Sequence, residues 1–194
     1  MVWSASVTQE ALFTVDAMDA ETCEWIQRAM DAGSSAPAAV LTEHFDVDEQ
    51  ERRATEIDVP DDVLARVESC LDAQRDRISA FYGRPLSTRE GAGFLRYGAG
   101  SFYGPHVDRA DVPSWPAAAG REVTIVLFLN SSRDVDPAGE FTGGRLRIFP
   151  DGLDADAIDV VPTRGMLVAF PASMPHEVTA VEHGTRDAVV DWFY

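Results

Sequence analysis

The chain has 194 residues, of which 45% are hydrophobic and 25% are charged. A chain of this length can bury one substantial core, so we expect one domain spanning residues 1–194. The formal net charge is −17 at pH 7, and all 16 cationic side chains are Arg. Because proteins that bind a phosphate backbone need a basic face, this balance argues against nucleic acid as a partner.

The sequence also carries no signature of membrane attachment or of metal-binding cysteines. No apolar run is long enough to span a bilayer, and the N-terminus lacks a signal-peptide pattern. We therefore expect no membrane partner and a cytoplasmic location. Cys23 and Cys70 lack the spacing of metal ligands and are predicted to be buried free thiols. Oligomeric state has no sequence signature here.

Residues 1–90 are predicted to form a helical support region. An extended lead-in is followed by a helix over about 20–30, with Asp19 as its N-cap. A second helix is predicted to start at Asp61 and to carry an apolar stripe from Val63 to Phe81. The charged run between the helices, Asp46–Arg53, is predicted to be a solvated loop.

Residues 91–194 have a different pattern, with short apolar runs separated by turn residues. Such density of short strands is typical of a β-sandwich or a barrel. We therefore expect a mainly β fold with N-terminal helices. The predicted strands are Phe94–Tyr97, Phe102–Val107, Val123–Asn130, Arg145–Phe149, Ile158–Val161, Met166–Phe170, Glu177–Val181 and Arg186–Phe193.

Three side chains from this region form a candidate metal site. His106 and Asp108 are two residues apart on an extended segment, so both side chains point the same way. His176 follows an apolar strand, where the ligands of a small barrel can converge. Two imidazoles and one carboxylate are the ligand set of a non-haem Fe(II) centre that leaves one face open. His44 and His183 are more simply read as ordinary solvated histidines.

A cation lies in a position to bind a second ligand of such an iron. Arg186 opens the final strand, ten residues after His176. A guanidinium beside the distal metal ligand could bind the far carboxylate of a dicarboxylic acid whose keto acid end chelates the iron. 2-Oxoglutarate has this chemistry.

With these residues in view, the sequence resembles the Fe(II)/2-oxoglutarate-dependent dioxygenases, specifically the prolyl 4-hydroxylase-like group. The resemblance covers about Arg52–Tyr194. It implies that the iron triad is His106, Asp108 and His176, which are also the catalytic residues, and that Arg186 binds the 5-carboxylate of 2-oxoglutarate.

The same resemblance implies further site residues and a fold. Tyr97 matches a tyrosine that contacts the cosubstrate, Tyr103 matches one that lines the substrate side, and Arg121 resembles an arginine that contacts substrate. The fold of the family is a double-stranded β-helix (jelly roll) buttressed by two or more helices, with residues 91–194 as its catalytic core. The implied cofactors are Fe(II), 2-oxoglutarate as cosubstrate and O2, with ascorbate as a candidate reductant.

The chain departs from the family pattern at two places. Gly143-Gly144 is usually followed by an acidic residue and a small polar one, whereas here Arg145 and Leu146 follow. Phe128 replaces a tyrosine that helps to hold the cosubstrate in many relatives. These changes do not affect the metal ligands, but they leave the identity of the substrate open.

The predicted activity is hydroxylation of an unactivated C–H bond of a small molecule or an amino-acid-type substrate, with release of succinate and CO2. The alternatives are a prolyl or other side-chain hydroxylase acting on a peptide or protein, and a non-catalytic jelly-roll sensor that binds metal or 2-oxoglutarate. Trp115 either covers the site or packs, and Arg145 either lines the pocket mouth, where it would suit an anionic substrate, or faces solvent. Whether the loops Arg109–Gly120 and Ser131–Thr142 close over substrate is left open.

Overall fold

The computed structural model describes residues 11–41, 45–113 and 115–194. The lead-in before residue 11 and the imidazole of His44 lie outside the described residues. None of the described helices is long and apolar enough to cross a lipid bilayer.

Three α-helices precede the main strands: α1 (Ala20–Ala32), α2 (Asp61–Asp72) and α3 (Arg75–Tyr82). The Asp19 side chain accepts a hydrogen bond from the backbone N–H of Thr22, which confirms the predicted N-cap of α1. A short 3-10 helix, Pro116–Gly120, lies in the second half of the chain.

The prediction of a single second helix was wrong, because the chain breaks it into α2 and α3. The backbone N–H of Gln74 bonds to the carbonyl of Leu71, and this tight turn separates the two helices. The apolar stripe continues across the break as far as Ile78, which is buried. Phe81, predicted as part of the same stripe, is instead 41% exposed.

The strands are short and form two larger antiparallel sheets. A seven-stranded major sheet has the order β1-β13-β9-β16-β7-β6-β2, a five-stranded minor sheet has the order β12-β11-β14-β8-β5, and β10-β15 and β3-β4 form two small two-stranded sheets. In chain order the strands are β1 (Phe13–Asp16), β2 (Ser35–Pro37), β3 (Val40–Leu41), β4 (Phe45–Asp46), β5 (Arg52–Arg53), β6 (Thr55–Ile57), β7 (Gly93–Tyr97), β8 (Phe102–His106), β9 (Val123–Phe128), β10 (Phe141–Gly143), β11 (Leu146–Ile148), β12 (Ile158–Val160), β13 (Met166–Pro171), β14 (His176–Val178), β15 (Val181–Gly184) and β16 (Arg186–Phe193).

The three helices cover one face of the major sheet. The largest apolar cluster joins helix residues such as Ile26 and Val67 to sheet residues such as Val189 and Phe193. A second cluster, which includes Ala188 of β16 and Leu146 of β11, fills the space between the two sheets. Because side chains alternate along β16, one face of this strand packs on the helices and the other faces the minor sheet.

Two predicted elements differ from the structure. The run Glu177–Val181, predicted as one strand, is the end of β14 and the start of β15, because the pairing partners change from β8 and β11 to β10. Within the predicted loop Asp46–Arg53, residues Arg52 and Arg53 form β5 and pair with β8. Part of the predicted helical support region therefore belongs to the sheets.

Candidate metal centre

Strand pairing brings His106 and His176 together, although the two residues are 70 positions apart in the sequence. β8 ends at His106 and β14 begins at His176, and the two residues are register partners in this antiparallel pair. Asp108 follows two residues after the end of β8, and its backbone N–H bonds to the carbonyl of Ala172 over 3.0 Å. The centroids of the two imidazole rings lie 4.1 Å apart.

The potential ligand atoms of these three side chains all lie within 4.8 Å of one another. Nε2 of His176 is 3.4 Å from one carboxylate oxygen of Asp108, and Nε2 of His106 is 3.6 Å from the other. Each Nδ1 faces a backbone carbonyl, that of Gly104 at 2.8 Å for His106 and that of Met174 at 3.0 Å for His176. If each Nδ1 carries the proton, both Nε2 lone pairs are left free to bind a metal ion.

The electrostatics of the triad keep its carboxylate ionised. Burial of Asp108 opposes ionisation, but the neighbouring imidazoles outweigh it and hold its pKa well below the usual range. Burial and the proximity of His176 lower the pKa of His106. Burial also disfavours the charged form of His176, but the Asp108 carboxylate outweighs it and raises the pKa of that imidazole. Oδ2 of Asp108 also accepts a 2.7 Å hydrogen bond from the Thr124 hydroxyl, which fixes its orientation.

The triad opens into a cavity of about 320 Å³ between the two sheets. Alternate residues of β16 and β7 line it from the major sheet, while β8 and β14 line it from the minor sheet. The lining from β16 comprises Arg186, Ala188, Val190 and Trp192, and that from β7 comprises Gly93, Leu95 and Tyr97.

Arg186 is a buried cation in this cavity, with 2% of its surface exposed. Its guanidinium lies 4.9 Å from the ring centroid of Tyr97 and 5.2 Å from that of Phe128. It forms no ion pair with any carboxylate of the described residues, and its Nε is buried without a hydrogen-bond partner. Burial lowers the pKa of this guanidinium. Since an unpaired buried charge is costly, the arrangement fits an anion that is supplied by a ligand.

Arg121 lies in the lining of the cavity, where it is held on three sides. Its Nε and Nη2 donate to the Glu90 carboxylate over 2.7 and 2.5 Å, and its Nη1 donates to the backbone carbonyl of Asp108 over 3.1 Å. Its guanidinium stacks over the Trp192 ring, 3.6 Å from the centroid. Arg121 therefore connects the backbone of a metal ligand to the rest of the lining.

The structure brings two of the other predicted substrate residues to the cavity and leaves the third outside it. The Tyr103 ring stacks on the His106 imidazole with centroids 3.5 Å apart. Trp115 lines the cavity, is 38% exposed, and donates from Nε1 to Glu90 over 2.9 Å. Arg145 is not among the described lining residues, because its guanidinium lies on the outer surface and pairs with Asp134 and Asp159.

Sequence reasoning missed several residues of this lining. Trp192 shares a strand face with Arg186, six residues earlier, and the period of two could have revealed it. Glu90 and Thr124 had no local signal, because their roles depend on contacts with residues distant in the sequence.

Comparisons with known proteins agree with this geometry. The model of the 2OG-Fe(II) oxygenase superfamily matches residues 92–194. A PKHD-type hydroxylase from Klebsiella pneumoniae strain 342 is 30% identical over 189 residues, which cover 96% of this chain and 73% of that protein. Against several other curated PKHD-type hydroxylases, the match spans about two fifths of their length and half of this chain.

Solved structures give the same fold. A prolyl-4-hydroxylase from Pseudomonas putida superposes with a TM-score of 0.70 at 26% identity, covering 96% of this chain and 94% of that one. A prolyl hydroxylase from Trichoplax adhaerens, solved in complex with a peptide fragment of the oxygen degradation domain of hypoxia inducible factor, superposes with a TM-score of 0.75 at 17% identity, over 97% of this chain and 85% of that one. These likenesses confirm the predicted mainly β jelly roll with supporting helices.

Proposed function

The chain belongs to the 2OG-Fe(II) oxygenase superfamily, and on that premise we propose that it hydroxylates an unactivated C–H bond. His106, Asp108 and His176 would hold the Fe(II), and Arg186 would hold 2-oxoglutarate. The observation that carries this proposal is the presence, in one cavity, of a convergent triad and a buried guanidinium that has no carboxylate partner among the described residues.

The donor set fits an iron that must keep coordination positions open. Two imidazoles and one carboxylate occupy one face, and none of the described Cys, Asp, Glu or other His side chains joins the cluster. Bound Fe(II) would activate O2 at the expense of 2-oxoglutarate, which loses CO2, so that one oxygen atom enters succinate and the other enters the substrate. With the Asp108 carboxylate as the third ligand, no room is left at that coordination position for a halide ion. Hydroxylation rather than halogenation of the substrate is therefore the expected outcome.

The other residues of the site would act by orienting the metal ligands and the cosubstrate. The carbonyls of Gly104 and Met174 fix the two imidazoles, and Thr124 fixes the carboxylate. Arg186 would bind the 5-carboxylate of the cosubstrate, with the Tyr97 and Phe128 rings excluding water from this contact. Phe128 cannot donate a hydrogen bond, so the guanidinium carries this contact without a tyrosine hydroxyl at that position.

The substrate would enter on the side of Tyr103, Arg121 and Trp192. Tyr103 stacks on a metal ligand, and Arg121 is fixed by its contacts with Glu90 and Trp192, so both are rigid surfaces near the metal. Two of the structures that superpose on the chain are prolyl hydroxylases, which makes a proline-like or other amino-acid-type unit the first candidate. A nucleic-acid substrate is disfavoured by the net charge of −17.

Succinate formation separates an enzyme from a sensor that only binds these ligands. With Fe(II), O2 and 2-oxoglutarate, the wild type should form succinate, faster when a substrate is present. Arg186→Gln should lower the apparent affinity for 2-oxoglutarate by about 100-fold, since a charge-assisted contact is lost at a buried site. Arg77→Gln, on the exposed outer surface of α3, is the matched control. Binding of both ligands without succinate, with or without substrate, would identify a sensor instead.

A further inference from the structure

Most charged side chains of the cavity have a partner once the proposed ligands are counted. Glu90 and Arg121 neutralise each other. Fe(II), the two carboxylates of 2-oxoglutarate, Asp108 and Arg186 together carry no net charge. Two charged lining residues then form no ion pair with any residue that the structure describes: Arg52 and Glu56. They are opposite in sign.

Arg52 lies one aromatic ring away from a metal ligand. Its guanidinium is 4.7 Å from the ring centroid of Tyr103, and Tyr103 in turn stacks on His106. Nη1 donates to the backbone carbonyl of Ala39 over 2.6 Å, while Nε is buried without a hydrogen-bond partner. The guanidinium is therefore held in place at the wall of the cavity, on the same side of the metal centre as Tyr103.

Glu56 comes from the facing sheet. Arg52 is on β5 of the minor sheet and Glu56 is on β6 of the major sheet, so the chain crosses between the sheets at Ala54. Both residues line the same cavity. The carboxylate of Glu56 lies over Gly93 of β7, so close that a methyl group added to that glycine would be 3.6 Å from Oε1. Glu56 therefore presents an exposed carboxylate to the same cavity into whose lining Arg52 brings its cation.

We infer that this pair is a subsite for the zwitterionic head of a free α-amino acid, whose carboxylate binds Arg52 and whose ammonium binds Glu56. The inference rests on the proposed function and names the substrate class of that site. A residue inside a peptide carries neither charge, so it would leave both side chains unpaired. Apolar residues of the same lining, such as Leu95 and Val190, suit an apolar amino-acid side chain.

The first test compares each standard L-amino acid with two capped forms, the amide and the N-acetyl derivative. Succinate release with Fe(II), O2 and 2-oxoglutarate gives KM and kcat for each compound. At least one free amino acid, with L-proline tested first, should be used with a KM about 10-fold or more below that of either capped form, because a site built for a charged group rejects analogues that lack it.

Two variants test which side chain binds which charged group of the amino acid. Arg52→Gln should abolish the preference for the free acid over the amide, and Glu56→Gln should abolish the preference for the free amine over the N-acetyl form. Each variant should keep the affinity for 2-oxoglutarate. Arg53→Gln and Glu49→Gln are matched controls, because both residues are exposed and lie outside the cavity lining. These two variants should prefer free over capped amino acids to the same extent as the wild type. A merely structural role of Arg52 would alter both preferences or neither.

The outcomes of this test and of the proposed function can be told apart. One outcome is that succinate forms without substrate while no free amino acid raises the rate of its formation or is preferred to its capped forms. That result would support the proposed dioxygenase activity and overturn the proposed subsite. If no succinate forms at all, calorimetric titration of the metal-free protein with the same amino acids still tests the subsite. Binding that is weakened by Arg52→Gln and Glu56→Gln but not by the controls would support it, and absence of binding would overturn it.

Discussion

The carboxylate of Asp108 lies 3.4 Å from Nε2 of His176, the first residue of β14, although the two residues are 68 positions apart in the sequence. Thr124 of β9 donates to the same carboxylate oxygen over 2.7 Å. One buried oxygen is thus held by a second ligand and by a hydroxyl from the other sheet. This contact links the metal site to the major sheet and makes the orientation of Asp108 open to a direct test.

Thr124→Val should weaken Fe(II) binding while leaving the fold intact. The substitution keeps the branched shape and removes the hydroxyl that orients Asp108, and loss of such a partner typically costs about 10-fold to 100-fold in metal affinity. Thr142→Val is the matched control, because the Thr142 hydroxyl is buried without a hydrogen-bond partner. Anaerobic Fe(II) titration measures both variants, and equal affinities would argue against the role of Thr124.

Arg186→Met should stabilise the ligand-free protein and abolish 2-oxoglutarate binding. The folded state disfavours the charged form of Arg186, as its lowered pKa indicates. Replacing a buried ion pair by apolar side chains of similar volume is often stabilising by about 1 to 4 kcal/mol, and an unpaired buried charge lacks even the attraction of a partner to offset its desolvation. Urea unfolding with and without 2-oxoglutarate measures both effects.

Arg96→Met is the comparison for this variant, since Arg96 is paired with the buried carboxylate of Asp187. It should be destabilised, because the substitution leaves that carboxylate without its cation. A ligand-free Arg186→Met protein that unfolds as easily as Arg96→Met would contradict the assignment of Arg186 as an unpaired cation.

Glu90→Gln should destabilise the protein in a pH-dependent way. Burial alone would raise the pKa of Glu90, but its hydrogen bonds with Arg121, Tyr194 and Trp115 outweigh it and lower the pKa. A carboxylate with a lowered folded-state pKa contributes stability above its unfolded pKa of about 4.3, and this contribution is lost as the pH falls through the folded value.

The difference between wild type and Glu90→Gln in free energy of unfolding should therefore be constant from about pH 7 to pH 5 and should shrink at lower pH. Urea unfolding over this range measures it. Glu122→Gln is the control, because Glu122 pairs with Arg84 and Arg109 in solvent-exposed contacts that contribute little. A Glu90→Gln difference that grows as the pH falls would refute the account.

Arg145→Ala should leave KM for substrate and for 2-oxoglutarate unchanged. Its guanidinium pairs with Asp134 over 2.7 Å on the outer surface, away from the described lining of the cavity. Steady-state kinetics by succinate release check this expectation. A KM raised several-fold would place Arg145 at the substrate entrance after all.

The sequence predicted the elements that carry chemistry better than their surroundings. His106, Asp108 and His176 could be identified because metal-ligand types recur at strand ends, and the structure brings them together. The alternation of side chains along β16 that places Arg186 on its inner face also places Trp192 there, so Trp192 could have been predicted from its spacing to Arg186.

Other features could not be read locally. No Gly or Pro marks the break between α2 and α3, where a turn at Ala73 and Gln74 interrupts an otherwise continuous stripe. The pairing of Arg52 with β8 depends on a partner strand that begins 50 residues later. The roles of Glu90 and Thr124 likewise arise only when the sheets assemble. The assignment of residues 1–194 to one domain stays a prediction.

The most direct test of the central claim is an anaerobic titration with Fe(II) and 2-oxoglutarate, followed by the visible charge-transfer absorption of the iron–keto acid chelate. The wild type should develop the band, His176→Ala should lose it, and Arg186→Gln should develop it only at much higher 2-oxoglutarate concentrations. His183→Ala, at an exposed histidine outside the triad, should match the wild type. A well-folded wild type that forms no band, or an equal band in His176→Ala, would contradict the assignment of this site.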